Sequence, residues 1–202
     1  VWVCVRARVC VLGTASACVK GGSRRKERQR GVEGRSVPSY CVEKGSSDSP
    51  TYSHWLMKSE PESRFQNGID LKFGIEDLKA QPEQTACWDG VRNYQARNFM
   101  RQMKVGQRAF FYHSNCKEPG VAGRTWTTLT DFSLLLQVDV QYQRMTRRFL
   151  PLSELKRYHL QHRDSGGPLK NLALFTKPRL SVQPLTAEEF DFILSLEDKK
   201  PL

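Results

Sequence analysis

A long segment of alternating residues is the strongest constraint on the fold of this chain. Between residues 126 and 142 every even-numbered position is apolar or threonine: Trp126, Thr128, Thr130, Phe132, Leu134, Leu136, Val138, Val140 and Tyr142. Successive side chains of a β-strand point to opposite faces, so a period of two is typical of extended structure. The segment is therefore expected to form strand.

Shorter patterns on both sides of this segment alternate irregularly between strand and helix. Strands are predicted at 54–57, 109–114, 171–175 and 179–183, and helices at 75–79 and 152–158. A further helix is expected to begin after Asn93, an N-cap, and to end at Gly106, while Thr186 and Glu189 form the capping-box pattern of another. This irregular order predicts an α+β barrel or rolled sheet and disfavours a doubly wound sheet.

The first 50 residues differ in composition from the rest of the chain. They contain 10 basic against 4 acidic residues, with a basic cluster at 24–30, and their glycine, serine and proline content predicts a disordered tail. Arg6 and Arg8 interrupt the apolar start, so a secretory signal is not expected. We expect a disordered basic tail over 1–50 and one domain over 51–202. The basic cluster is a nuclear-localisation signal, a phosphate contact or simply a solvated run of charges.

The charge and the cysteines narrow the function classes. A formal net charge of +11 favours a polyanionic partner, with nucleic acid ahead of a membrane. None of the six cysteines has CxxC spacing, and four of them fall in the tail, so neither a metal site nor a disulfide framework is expected. We therefore expect the protein to reside in a reducing compartment. The glycines match no nucleotide-binding loop, and no catalytic residue or cofactor is assigned.

Aromatic residues beside polar ones indicate a candidate pocket. Trp55, Trp88 and Tyr112 each lie near a predicted strand end, next to side chains that can form hydrogen bonds. An unstacked base is bound by ring faces and by a few polar groups directed at its edges. The pattern therefore indicates a base-binding pocket, while core packing of the tryptophans and a half-buried His113 stay open as the structural explanation.

Four motifs resemble the EVE domain family, over about residues 52–123 and 138–198. They are HWLMKSEP at 54–61, CWDGVRNYQARN at 87–98, FYHSN at 111–115 and RLSVQPLT at 179–186. The resemblance implies a PUA-like fold, a small mixed β-barrel with flanking short helices, related to PUA and YTH domains. It also implies a nuclear protein whose pocket accepts a modified base, for this branch 5-methylcytosine or 5-hydroxymethylcytosine in DNA. We expect the protein to be monomeric and non-enzymatic.

The matching motifs also imply which residues form the pocket. Its three sides would be Trp55, Lys58, Ser59 and Glu60; Trp88, Asp89, Val91, Arg92 and Asn93; and Tyr112, His113 and Ser114. The expected phosphate contacts are Arg97, Arg101, Arg147 and Arg148. Three alternatives stay open: a YTH-like binder of modified RNA, a hydrolase or nuclease that uses Ser114, His113 and Asp89, and a protein-interaction domain without a base ligand.

The resemblance is interrupted at residues 124–137. The family continues there with a strand and a longer acidic and aromatic insertion, whereas this chain has a shorter and different segment. Unpaired buried backbone groups cost about 1–3 kcal/mol each. The domain is therefore expected to be incomplete at 124–137 unless the alternating segment supplies the missing strand.

Overall fold

The computed structural model describes residues 52–201, except Gly90 and residues 132–136. The strands are β1 (His54–Ser59), β2 (Phe65–Gln66), β3 (Ile69–Asp70), β4 (Thr85–Trp88), β5 (Arg108–His113), β6 (Gly120–Asp131), β7 (Gln137–Pro151) and β8 (Val182–Leu185). The α-helices are α1 (Ile75–Lys79), α2 (Tyr94–Met100), α3 (Leu152–Ser165), α4 (Ala173–Thr176) and α5 (Ala187–Leu196), and 3₁₀ turns occupy Pro82–Gln84 and Pro168–Asn171. The predicted tail and its basic cluster lie outside the described residues.

Six of the strands form one mixed sheet in the order β4-β7-β6-β5-β1-β8. Neighbouring strands are antiparallel, except that β1 and β5 run parallel. The sheet curves into a half-barrel with short helices on both faces, so the prediction of an α+β mixed barrel with flanking helices is confirmed. None of the described helices is long and apolar enough to cross a membrane.

Each face of the sheet carries its own apolar core. Met57 and Phe111 pack on one face with residues of α1, α2 and β4. Their neighbours in sequence, Leu56 and Phe110, pack on the other face with α3 and α5. Strands that are covered on both faces are continuous apolar runs, which is why β1 and β5 could be recognised from sequence.

The described parts of the alternating segment, 126–131 and 137–142, form extended structure as predicted and belong to two strands, while positions 132–136 lie outside the described residues. β6 and β7 are antiparallel, with Thr127 opposite Val140. Within the segment, Thr127 of β6 and Val138 and Val140 of β7 are buried, whereas Trp126 and Thr128 are half-buried. Because β6 pairs with both β5 and β7, the chain has a strand where the family pattern was interrupted.

Helix α2 begins as predicted and ends earlier. The Oδ1 atom of Asn93 accepts the N–H of Ala96 at 3.1 Å, so Asn93 is the N-cap. The helix ends at Met100, not at Gly106, which adopts a positive φ of 82° in the turn before β5. The N–H of Gly106 donates to the carbonyl of Thr127 at 2.7 Å, so contacts with β6 determine this turn.

The prediction of a strand at 171–175 is wrong, because this segment contains the end of a 3₁₀ turn and most of α4. The turn is held by α3, since the Nδ1 atom of His162 accepts the N–H of Leu169 at 3.1 Å. The last strand starts at Val182 rather than at 179. Helix α3 extends beyond the predicted 152–158, and the capping box of Thr186 and Glu189 is confirmed.

Candidate functional site

A cavity of about 740 Å³ lies at the carboxyl ends of β1 and β5. Because these strands are parallel, their ends meet at one edge of the sheet, and Lys58 lies beside Tyr112. One wall of the cavity comes from these strand ends, with Lys58, Glu60, Tyr112 and Ser114. The opposite wall comes from α3, α4 and the residues after α4: Lys156, His159, Leu160, Leu174, Phe175 and Pro178. Its volume is in the range of ligand-binding pockets.

Lys58 is the buried cation of this cavity. Its Nζ atom donates to the carbonyl of Pro178 at 3.0 Å and lies 5.8 Å from the centroid of the Tyr112 ring. Burial lowers the pKa of Lys58 to about 8. An ammonium group has three N–H donors, so at neutral pH Lys58 can still donate to a ligand.

Tyr112 and Ser114 provide neutral polar groups on the same side. Burial, and then the nearby Cys116, raise the pKa of the Tyr112 phenol, which therefore stays protonated at neutral pH. The N–H and the hydroxyl of Ser114 both donate to the carbonyl of Ser59, at 2.8 and 2.9 Å. Ser114 thus continues the pairing of β1 and β5 beyond their last residues.

Glu60 is the buried carboxylate of the cavity, with 6% of its side chain exposed. Its Oε2 atom lies 2.9 Å from the Nε atom of Arg64, which also lines the cavity. Glu60 is also fixed through its backbone, because its carbonyl accepts the N–H of Phe73 at 2.7 Å. A cation and a carboxylate are therefore held within one cavity.

Two smaller cavities adjoin the first one and extend it into a groove. A cavity of about 350 Å³, lined by Asn93, Lys177 and Arg179, shares Pro178 with it, and one of about 650 Å³ shares Lys156. We call the three together the groove. Its basic residues are Lys58, Arg64, Lys117, Arg148, Lys156, Lys177 and Arg179, and its acidic residues are Glu60 and Glu118. Seven bases against two acids make it a positively charged surface suited to polyanions.

The structure places both predicted pocket tryptophans in the core rather than in the groove. Trp55 and Trp88 have no exposed surface. The Nε1 atom of Trp55 donates to Gln107 at 2.8 Å, at the other end of β1, and Trp88 packs edge-on against Phe111 with centroids 5.7 Å apart. In this arrangement both rings pack within the core, as the core-packing explanation expects.

The remaining predicted pocket residues are dispersed. Val91 is buried in the same core as the tryptophans, and Ser59 is also buried. Asp89 is half-buried after β4, and Arg92 is exposed. Of the twelve predicted ligand-binding residues, five line the groove: Lys58, Glu60, Asn93, Tyr112 and Ser114.

The side chains of His113 and Ser114 bond backbone groups rather than each other. The Nε2 atom of His113 accepts the N–H of Ile75 at 3.2 Å, which requires an unprotonated nitrogen. Burial lowers the pKa of His113 against the opposing charges of Asp77 and Glu76. The hydroxyl of Ser114 instead donates to a backbone carbonyl.

The four predicted phosphate contacts differ in the hydrogen bonds that their guanidinium groups already form within the protein. Arg97 donates to the carbonyl of Arg92 at 3.0 Å, Arg101 donates to Asn98 at 2.7 Å, and Arg147 pairs with Asp198 on an exposed surface. Arg148 lines the groove, but both of its terminal nitrogens bond Glu154 at 2.7 Å. Its Nε atom also donates to the carbonyls of Leu196 and Lys199, so Arg148 holds β7 to α3 and α5 rather than facing a phosphate.

Sequence reasoning missed the wall that α3 and α4 contribute. His159 stacks on Phe175 with ring centroids 4.7 Å apart, and its Nδ1 atom lies 2.7 Å from the carbonyl of Leu169. This wall was not predicted, because α3 was expected to end before His159 and the segment of α4 was expected to be a strand. Its one sequence signal is the run of Phe175, Lys177, Pro178 and Arg179, an aromatic residue followed by bases and proline.

A half-barrel of mixed strands with a basic groove at the carboxyl ends of β1 and β5 has the architecture of the PUA-like domains. The model of the EVE domain family matches residues 53–196, and the chain belongs to this family. The resemblance found in the sequence motifs is thereby confirmed.

Named relatives support the same assignment. The chain is 63% identical over 174 residues to thymocyte nuclear protein 1 of Danio rerio, covering 76% of this chain and 75% of that protein. It is 60% identical over 170 residues to the Homo sapiens protein of that name, covering 74% and 76%.

Solved structures agree with the fold. A crystal structure of human THYN1 in complex with DNA that contains 5-methylcytosine matches with a TM-score of 0.70 and 59% identity, covering 74% of this chain and 99% of that one. The DUF55 domain of human thymocyte nuclear protein 1 matches with a TM-score of 0.69 and 58% identity, covering 73% and 100%.

Proposed function

We propose that this chain binds DNA in the nucleus and holds one modified cytosine, 5-methylcytosine or 5-hydroxymethylcytosine, without catalysing a reaction. The observation that carries the proposal is the cavity of about 740 Å³ within a basic groove, in a domain similar to a human protein crystallised with 5-methylcytosine DNA. The names of the relatives support the nuclear location.

The cavity offers both kinds of contact that an extruded base needs. Phe175, Leu174 and Pro178 provide apolar surface for the ring and its methyl group. Lys58, Tyr112 and Ser114 provide polar groups for the base edge. Extrusion of a base from a duplex costs a few kcal/mol, which these contacts must offset.

Different parts of the groove contact the phosphates and the base. Lys177 and Arg179 are exposed beside the cavity and can neutralise phosphates on either side of the extruded nucleotide. Phosphate contacts release counterions and are independent of the base, so they raise affinity for every DNA alike. Selectivity for the modification is then a property of the cavity.

The test compares duplexes that differ in one central base: cytosine, 5-methylcytosine or 5-hydroxymethylcytosine. A methyl group in an apolar pocket is worth roughly 1–3 kcal/mol, so the full chain should bind a modified duplex about 10-fold more tightly in fluorescence anisotropy. Equal affinity for all three duplexes would contradict the proposal that the chain distinguishes modified from unmodified cytosine. Tighter binding of single-stranded RNA carrying a modified adenine would favour the RNA alternative.

A matched pair of variants locates the site. Lys58→Met removes the buried ammonium that would hold the base edge in the cavity, and hydrogen bonds from charged groups contribute about 1.5–3 kcal/mol, so affinity for modified DNA should fall by ~10-fold or more and the preference for the modification should be lost. Lys79→Met removes the same charge from the exposed surface of α1 and should leave the preference unchanged. An unaltered preference in Lys58→Met would exclude this cavity as the base site.

A further inference from the structure

Three arginines lie on neighbouring strands, away from the groove. Arg124 of β6 is directly opposite Arg144 of β7, and Arg108 of β5 is opposite Trp126 of β6. Arg108 lies over the Trp126 ring, with its Cζ atom 5.5 Å from the centroid. We call Arg108, Arg124, Arg144 and Trp126 the arginine patch. Arg108 begins β5, and the groove lies four residues further along, about 13 Å at 3.3 Å per residue.

The patch carries more positive than negative charge. Among the described residues, Glu197 is the carboxylate that ion-pairs with it: its Oε2 atom accepts from Arg144 at 2.9 Å, and its Oε1 atom accepts from the second terminal nitrogen of Arg144. The same Glu197 also accepts the backbone N–H of Arg147 at 2.9 Å. The nearby Asp198 is engaged by the side chain of Arg147. Of the three patch arginines, Arg144 is therefore the one whose guanidinium group ion-pairs with Glu197 among the described residues.

Arg124 is the unusual member of the patch. It is 9% exposed, its Cζ atom lies 6.0 Å from the centroid of the Phe190 ring, and its Nε–H has no hydrogen-bond partner among the described residues. Burial lowers the pKa of Arg124, as do Arg144 and Arg108, while Glu197 opposes them. Like charges directly opposite each other in a sheet destabilise it, and so does a buried donor without a partner.

A cost of this kind is expected where a residue serves a ligand rather than the fold. We propose that the arginine patch binds a phosphate group of the nucleic-acid backbone, on the face of the sheet beside α5. Guanidinium groups match phosphate oxygens in pairs, and an anion beside Arg124 and Arg108 would accept the Nε–H of Arg124 and offset its repulsion from Arg144, whose own terminal nitrogens bond Glu197. Trp126 is half-buried and offers a flat apolar surface next to that anion.

The identity of the anion rests on the proposed DNA binding, whereas the arrangement of the guanidinium groups suits any phosphate group. The patch would contact DNA through a second surface, separate from the groove and indifferent to base modification. Its loss should therefore weaken plain and modified duplexes by the same factor.

The decisive variant is Arg124→Met, which keeps the length of the side chain and removes its charge. Without DNA, the variant should unfold at the same or a higher urea concentration than the unaltered chain. With DNA, its affinity for both duplexes should fall, and the slope of log K against log salt should become shallower by about 1, as for one lost phosphate contact. A residue with a purely structural role would give the opposite stability result.

Two further variants make the result independent of the folding of Arg124→Met. Arg108→Gln changes an exposed residue and should reduce the salt slope in the same way. Arg163→Met removes an exposed charge from α3 and serves as the control, with slope and affinity unchanged. Pyrophosphate is a second probe, and it should raise the melting temperature of the unaltered chain more than that of Arg124→Met.

The outcomes separate this inference from the proposed function. A salt slope and affinity unchanged in both Arg108→Gln and Arg124→Met overturn the arginine patch and leave the base cavity standing. Equal binding of plain and modified DNA by the unaltered chain overturns the base cavity and leaves the patch standing. Stabilisation by pyrophosphate without DNA binding would overturn the nucleic-acid backbone as its ligand.

Discussion

Arg148 allows a sharp test, because sequence and structure assign it different roles. The sequence analysis made it an expected phosphate contact, whereas in the structure its terminal nitrogens bond both carboxylate oxygens of Glu154 at 2.7 Å. The side chains of Arg148 and Glu154 are 18% and 4% exposed. The pair therefore joins β7 to α3 from a largely buried position.

The expected cost of Arg148→Met follows from that burial. Removing one partner of a buried ion pair costs about 3–5 kcal/mol, since it leaves a buried charge without compensation. We expect about 3 kcal/mol, at the lower end, because part of the Arg148 side chain still contacts water. For a protein of this size the melting temperature should fall by roughly 6–12 °C, at 2–4 °C for each kcal/mol.

The assay is urea unfolding of four chains: the unaltered protein, Arg148→Met, Glu154→Leu and the double variant. The double variant should recover about 2 kcal/mol relative to the sum of the single changes, because it leaves no unpaired charge. Arg147→Met is the matched control, since its partner Asp198 lies on an exposed surface, and it should change stability by less than about 0.5 kcal/mol. A loss of DNA affinity in Arg148→Met without any loss of stability would refute the structural role.

Three further changes test other parts of the molecule. The unfolding free energy should decrease as the pH falls below 6.5, because burial lowers the pKa of His113 in the folded protein and the unfolded chain therefore takes up the proton first. Urea unfolding of His113→Asn should show a weaker decrease. DNA affinity should decrease as the pH rises through about 8, where Lys58 loses its charge, and Lys58→Met should remove this dependence. Gly123→Ala should destabilise the fold by about 1–3 kcal/mol in urea unfolding, because the added Cβ would lie 2.1 Å from the Cδ1 atom of Ile75, and wild-type stability would disprove that contact.

Local patterns in the sequence predicted the elements that depend on local chemistry. Helix α1, the N-cap of α2 at Asn93 and the capping box before α5 were all recognised, because each rests on residues within one or two turns of helix. The strands β1 and β5 were recognised because they are short apolar runs bounded by polar turns.

The elements that were missed depend on contacts between distant residues. The segment 171–175 has no helix signal of its own, and the turn before it is held by His162 of α3. Helix α2 was given too long an extent, because the turn at Gly106 is held by Thr127, which is remote in sequence. In both cases the conformation is determined by hydrogen bonds that a local window does not contain.

By itself the sequence determined the family, the mixed α+β architecture, the excess of basic residues and the motifs that contain Lys58 and Tyr112. Only the tertiary structure decided which of these motif residues line the same cavity. Trp55 and Lys58 are three positions apart in β1 and therefore point to opposite faces of the sheet, so one enters the core and the other enters the cavity. Both faces are covered, and the side that holds the cavity depends on where α3 and α4 pack, which no single strand encodes.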